Sequence, residues 1–133
     1  ASSMQAIINN LRVKKAGIDL TSNKSVVVDE FFQTSNKNIY AIGDVIDKVQ
    51  LTPVAINEAI ILIKNLTKNQ GSTFKYKNIP TAIFSNPNMA TVGMSEESAL
   101  EKFKEIDVYT SEFRPLKLTL SKSDEKVFNC SRR

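Results

Sequence analysis

At 133 residues the chain can hold one domain or parts of two, and a compact chain of that length buries about two-thirds of its unfolded surface. Its 41% hydrophobic and 24% charged composition is ordinary for a globular protein, and its net charge of +4 rests on scattered lysines, which describes a solvated surface rather than a nucleic-acid or membrane patch. One cysteine, Cys130, and no histidine exclude an internal disulfide framework and an all-protein zinc site.

No apolar run approaches the ~20 residues that a membrane helix needs. The opening Ala1-Ser-Ser-Met-Gln-Ala-Ile-Ile lacks the charged region and cleavage pattern of a secretory signal, so a cytoplasmic setting is expected. Leu11 to Ala16 reads as a helical turn stopped by Gly17. Ile18 to Leu20, a turn at Thr21 to Lys24, and Ser25 to Val28 read as strand, turn, strand, with three β-branched valines suited to a pleated surface.

The next stretch, Thr34-Ser-Asn-Lys-Asn-Ile-Tyr-Ala-Ile-Gly-Asp44, reads as a short apolar strand from Ile39 to Ile42 that stops at Gly43 and Asp44. A brief loop leads to Gln50-Leu-Thr-Pro53, where Thr52 suits a helix N-cap and Pro53 the first helical position. This order suits a cofactor that carries phosphates and sugars. Glycine permits close approach to the backbone, aspartate offers two acceptors to ribose-like hydroxyls, and a helix start offers unpaired N–H groups. A Gly-Asp pair alone is weak, since Asx turns use the same residues.

From Val54 to Leu66 the chain is strongly apolar, with Asn57, Glu58, Lys64 and Asn65 expected on a narrow wet side. This pattern predicts a helix buried on most of its surface, too short to span a bilayer. Thr67 to Thr73 is a polar, glycine-bearing linker. Strands are expected at Thr81 to Phe84 and Met89 to Gly93, then a helix capped by Ser95 with Glu96 and Glu97 in its first turn. Asp107 to Phe113, Leu116 to Leu120 and Lys126 to Phe128 read as further strands. The fold class is thus α/β followed by α+β.

The passages Lys15-Ala-Gly-Ile18, Val28-Asp-Glu30, Asn38-Ile-Tyr-Ala-Ile-Gly-Asp44 and Gln50-Leu-Thr-Pro-Val-Ala-Ile56 resemble the second flavin-contacting motif of the glutathione reductase family and its approach. Asn78-Ile-Pro-Thr-Ala-Ile-Phe-Ser-Asn-Pro87, Thr91-Val-Gly-Met-Ser-Glu-Glu97 and Phe113-Arg-Pro-Leu116 resemble the interface domain of the same FAD-dependent pyridine nucleotide–disulfide oxidoreductases. The resemblance implies a fragment of a Rossmann-like FAD domain plus part of the C-terminal dimerisation domain. It places the exit of an NADPH-binding domain at 1–22, the end of the FAD domain at 23–70 and a partial dimerisation domain at 71–133.

It further implies that Asp44 holds the ribityl chain of FAD, with Gly43 beside it, and that Leu51 and Thr52 lie at the pyrimidine end of the flavin ring. The implied partners are a second copy of the chain, NADPH bound by parts not present here, and a disulfide substrate such as glutathione disulfide. No nucleic acid or membrane is expected. The Gln50-Leu-Thr-Pro53 and Phe113-Arg-Pro-Leu116 passages favour the glutathione reductase branch over a dihydrolipoamide dehydrogenase-like one.

The tail Asn129-Cys-Ser-Arg-Arg133 departs from the apolar strand expected there. The chain has no Gly-x-Gly-x-x-Gly and no Cys-x-x-x-x-Cys pair, so no catalytic residue is assigned and the piece is expected to be inactive alone. A non-catalytic association module is the reading from another class, and weak polyanion binding rests on net charge alone.

Overall fold

A computed structural model describes residue 8, residues 11–121 and residues 123–132. Of the exit segment expected at 1–22, residues 1–7, 9 and 10 lie outside the described residues. The chain divides into two compact units, Ala1–Tyr76 and Lys77–Arg133.

The first unit is built around one helix, α1, at Thr52–Lys68. Its core joins Val26, Phe32 and Ile46 to the half-buried Ile18, Leu20, Val28, Ala41, Ile42, Val45, Ile61, Leu62 and Phe74. The helical turn at 11–17 ends at Gly17, whose φ of +69° is the left-handed stop that glycine supplies. The expected strand pair over Ile18–Val28 reduces to one antiparallel bridge, Leu20 to Val26, and the strand over Ile39–Ile42 to a bridge between Tyr40 and Gln33. A parallel strand needs a neighbour brought alongside by a long crossover, usually a helix. Among the described residues of this unit α1 is the only α-helix, so its extended segments do not assemble into a sheet.

The start of α1 differs from expectation by one residue. Leu51, in extended conformation, takes the N-cap position, so Thr52 and Pro53 are the first two helical residues. The helix ends at Asn69, which adopts φ +51° and returns its N–H to the Asn65 carbonyl. Its burial also differs. Val54 and Glu58, one turn apart, are its buried residues, while Ile56, Ile60, Ile63 and Leu66 are exposed. The expected wet side is thus partly the inward side.

The second unit holds two antiparallel hairpins and one short helix. Strand β1 (Thr81–Ile83) pairs with β2 (Met89–Thr91), with Ala82 opposite Ala90. Helix α2 (Glu96–Lys102) is capped as expected: the Ser95 hydroxyl accepts the Ser98 N–H at 3.2 Å. Strand β3 (Val108–Phe113) pairs along its full length with β4 (Val127–Arg132). The tail residues Asn129 to Arg132 are therefore in regular strand despite their polar sequence, because Val108 to Phe113 supplies a complete ladder opposite them. The expected strand at Leu116 to Leu120 is instead a 3₁₀ turn at Leu116–Leu118, which Pro115 opens. Among the described residues of this unit only Ala99 is fully buried.

Candidate functional site

The turn before Gly43 is assembled from its own polar side chains. The buried Thr34 hydroxyl donates to the carbonyls of Asn36 and Ile39, at 3.0 and 2.9 Å, and accepts the Asn36 N–H. The Asn36 amide reaches back to the Ala16 carbonyl at 2.8 Å. These bonds satisfy a tight reversal that no ladder could, the usual work of Thr and Asn in turns. They deliver Tyr40 to Ile42 in extended form to the 3₁₀ turn at Gly43–Ile46.

Gly43 takes φ +71°, and a Cβ on it would stand 3.3 Å from the Ala55 Cβ on α1. Both facts favour glycine: the left-handed backbone costs an L-residue about 1–2 kcal/mol, and the gap to the helix is already closed. Asp44 follows with an exposed side chain, and its carbonyl accepts the Asp47 N–H at 3.2 Å. Behind it Ile46 is buried in the core, and Val45 receives the Val26 N–H on its carbonyl at 2.9 Å. The turn is thus anchored on its inner side and presents one carboxylate to the outside.

The start of α1 packs against this turn. The Leu51 carbonyl accepts the N–H groups of Val54 and Ala55, at 2.9 and 3.1 Å, while the Leu51 N–H is taken by the Val49 carbonyl at 2.9 Å. Pro53 has no N–H. The Thr52 N–H has no acceptor among the described residues, so of the two amides expected to serve a ligand this one is available and the Leu51 one is engaged.

An exposed acceptor carboxylate on one segment and a spare helix-start donor on the next fit a polyhydroxyl chain and an electron-rich carbonyl end. The four candidate residues do not line a cavity of about 290 Å³ that Val28, Phe32, Lys48, Phe74 and Tyr76 help to enclose.

Two residues that the sequence reading passed over belong to this site. Glu58, only 1% exposed, accepts the Gly43 N–H on Oε2 at 2.6 Å and the Tyr76 hydroxyl on Oε1 at 2.6 Å. Burial, and the hydrogen bond and negative charge of Glu58, push the Tyr76 phenol well above its ordinary 10.0. Phe74 packs edge-on against the Tyr76 ring, with centroids 4.7 Å apart. Sequence spacing puts Glu58 one turn after Val54 on the same face of α1, but apolar periodicity alone assigns a lone carboxylate there to water. Among the described residues no group of acidic, cysteine and histidine side chains could hold a metal, and no helix is long and apolar enough to cross a membrane.

Comparison with known proteins puts one family model in each compact unit. Residues 5–59 match the family model of the pyridine nucleotide-disulphide oxidoreductases, and residues 79–129 match that of their dimerisation domain. The glutathione reductase of pea (Pisum sativum), chloroplastic/mitochondrial, is 43% identical over 119 residues, which is 90% of this chain and 22% of the relative. The trypanothione reductase of Leishmania donovani is 41% identical over 119 residues, 89% of this chain and 24% of the relative. Among solved structures, a Cu(II) complex of the HOCl-induced flavoprotein disulfide reductase RclA from Escherichia coli superposes with TM-score 0.77 at 32% identity, covering 83% of this chain and 25% of that one. The chain thus spans about a quarter of the length of the curated relatives that it matches. With both models matched in their family order and a Rossmann-like FAD portion followed by a dimerisation portion, the chain belongs to the pyridine nucleotide–disulfide oxidoreductase family.

Proposed function

We propose that this chain supplies the late flavin contacts and the beginning of the dimer interface of a glutathione-disulfide reductase-like flavoenzyme. The FAD portion would comprise residues 23–70, preceded by the exit of an NADPH domain at 1–22 and followed by the dimerisation portion at 71–133. Asp44 holds ribityl hydroxyls, Gly43 keeps the backbone close, and the helix start at Leu51 and Thr52 faces the pyrimidine end of the ring. FAD, when bound, relays electrons from NADPH to a disulfide. The part of this chain is to bind and orient it and to set a preorganised donor, the Thr52 N–H, where negative charge collects on reduction. The observation that carries this reading is the pairing of an exposed Asp44 with a spare Thr52 amide across the packed contact of the Gly43 turn and α1.

Two relatives are a glutathione and a trypanothione reductase by name, so a glutathione-type disulfide is the substrate class proposed. A second copy of the chain is the proposed partner, in line with the matched dimerisation model. A cytoplasmic setting accords with a single free thiol, Cys130.

The test is titration of FAD with the purified chain, followed by quenching of flavin fluorescence, and the same titration with Asp44→Ala. Asp44 is exposed, so the variant keeps its fold, and loss of one or two charge-assisted hydrogen bonds weakens FAD by about 10- to 100-fold. Equal affinity of the two proteins refutes the assignment of Asp44. Rapid NADPH-dependent reduction of glutathione disulfide by this chain with FAD refutes its reading as a non-catalytic part of the enzyme.

A further inference from the structure

Among the described residues, Glu58 is the one charged side chain that is fully withdrawn from water. A glutamate in the middle of a helix owes nothing to that helix, whose backbone groups are already paired there. Glu58 uses both oxygens elsewhere. One accepts the N–H of Gly43, fifteen residues earlier, and the other the hydroxyl of Tyr76, eighteen residues later, each at 2.6 Å.

The Gly43 N–H opens a 3₁₀ turn, where the first donors have no partner within the helix. Its acceptor therefore fixes the orientation of the peptide from Ile42 to Gly43, and with it the direction in which Asp44 leaves. Tyr76 is the last residue of the first compact unit. The same carboxylate thus ties the turn before Asp44 to the end of that unit.

We propose that Glu58 is a positioning residue of the flavin-contacting turn, holding Gly43 and Asp44 in register with α1 and with Tyr76. This rests on the reading that Asp44 meets the flavin. A side chain supplies the acceptor, since among the described residues no backbone carbonyl takes the Gly43 N–H. Glu58→Gln can keep both contacts, its carbonyl accepting from Gly43 and its amide N–H donating to the Tyr76 oxygen. Glu58→Leu can keep neither.

The experiment is a nitrogen–proton correlation spectrum and an FAD titration of the whole chain, as wild type, Glu58→Gln, Glu58→Leu and Tyr76→Phe. In the wild type the Gly43 amide proton should resonate far downfield and exchange slowly, the mark of a short bond to a carboxylate. Glu58→Gln should move that proton upfield but keep it protected, with FAD affinity within about 3-fold of wild type. Glu58→Leu should lose the protection and weaken FAD about 10-fold or more. Tyr76→Phe should leave the Gly43 proton downfield.

The proposal is overturned if Glu58→Leu leaves the Gly43 amide unchanged. It is equally overturned if a folded Glu58→Leu binds FAD as tightly as wild type while Gly43 loses its protection. If Glu58→Leu does not fold, the upfield shift in Glu58→Gln decides the matter, and no shift there overturns the proposal. A wild-type chain that shows the Gly43 signature yet binds no FAD overturns the flavin reading alone, and the hold of Glu58 on the turn then stands on the amide response.

Discussion

At the scale of single residues, the polar groups decide the geometry of the site, and Tyr76 is the one whose chemistry can be followed by titration. Its hydroxyl donates to Glu58 at 2.6 Å, and burial together with that carboxylate raises its proton affinity above the ordinary 10.0 of a phenol. The folded state therefore keeps a proton at a pH where the unfolded chain has lost it. By linkage, the stabilisation from this proton is complete below about pH 10 and is lost as pH climbs above it toward the folded value. Stability should fall as pH rises above about 10, more steeply in the wild type than in Tyr76→Phe. Denaturant melts across that range check the slope. Absorbance at alkaline pH checks the assignment: a late-ionising phenol should be present in the wild type and missing from the Tyr76→Phe titration. Equal slopes for the two proteins would show that the Glu58–Tyr76 bond does not hold in solution.

At the scale of elements, α1 shows where sequence reading succeeds and where it stops. Its start was legible because Pro53, at the head of an apolar helical run, suits a first turn, and the Ser95 cap of α2 because a hydroxyl before two glutamates has a local purpose. Those signals act within four residues. The inward face of α1 was not legible, because its partners lie far along the chain or in a loop. Glu58 meets Gly43 and Tyr76. Asn65 donates to the Ser72 carbonyl at 2.7 Å and accepts the Ser72 N–H at 2.9 Å, closing the loop after the helix. Apolar periodicity assigns such residues to water, whereas Ile56, Ile60, Ile63 and Leu66 take that place. An inverted mutational hierarchy follows. Asn65→Ala removes both partners of a backbone pair and should cost about 1–2 kcal/mol, whereas Ile63→Ala, at a position 59% exposed, should cost about 0.5 kcal/mol or less. Urea melts of the two variants test this, and a larger loss for Ile63→Ala would contradict the observed face.

At the scale of the whole molecule, the two units differ in what holds them. The first has a contiguous core under α1, centred on Val26, Phe32 and Ile46. The second has two hairpins of two strands each, and β1 to β4 are exposed along nearly all their length. Isolated two-stranded ribbons are marginal in water, since a third strand or a packed face is needed to bury their side chains. Phe84, Met89, Tyr109, Phe113 and Phe128 all remain exposed there. Local opening should therefore cost little in the second unit and more in the first. Amide hydrogen exchange of the dilute chain should show β3 and β4 opening for about 1–2 kcal/mol, with the amides of Val26, Val54 and Glu58 protected several-fold to many-fold longer. If the second copy proposed above covers these strands, it binds only their folded form, and their protection should then rise with protein concentration while that of Val26 changes less. Uniform protection across both units at every concentration would mean that the strands need no partner, and it would remove the physical reason for expecting a dimer.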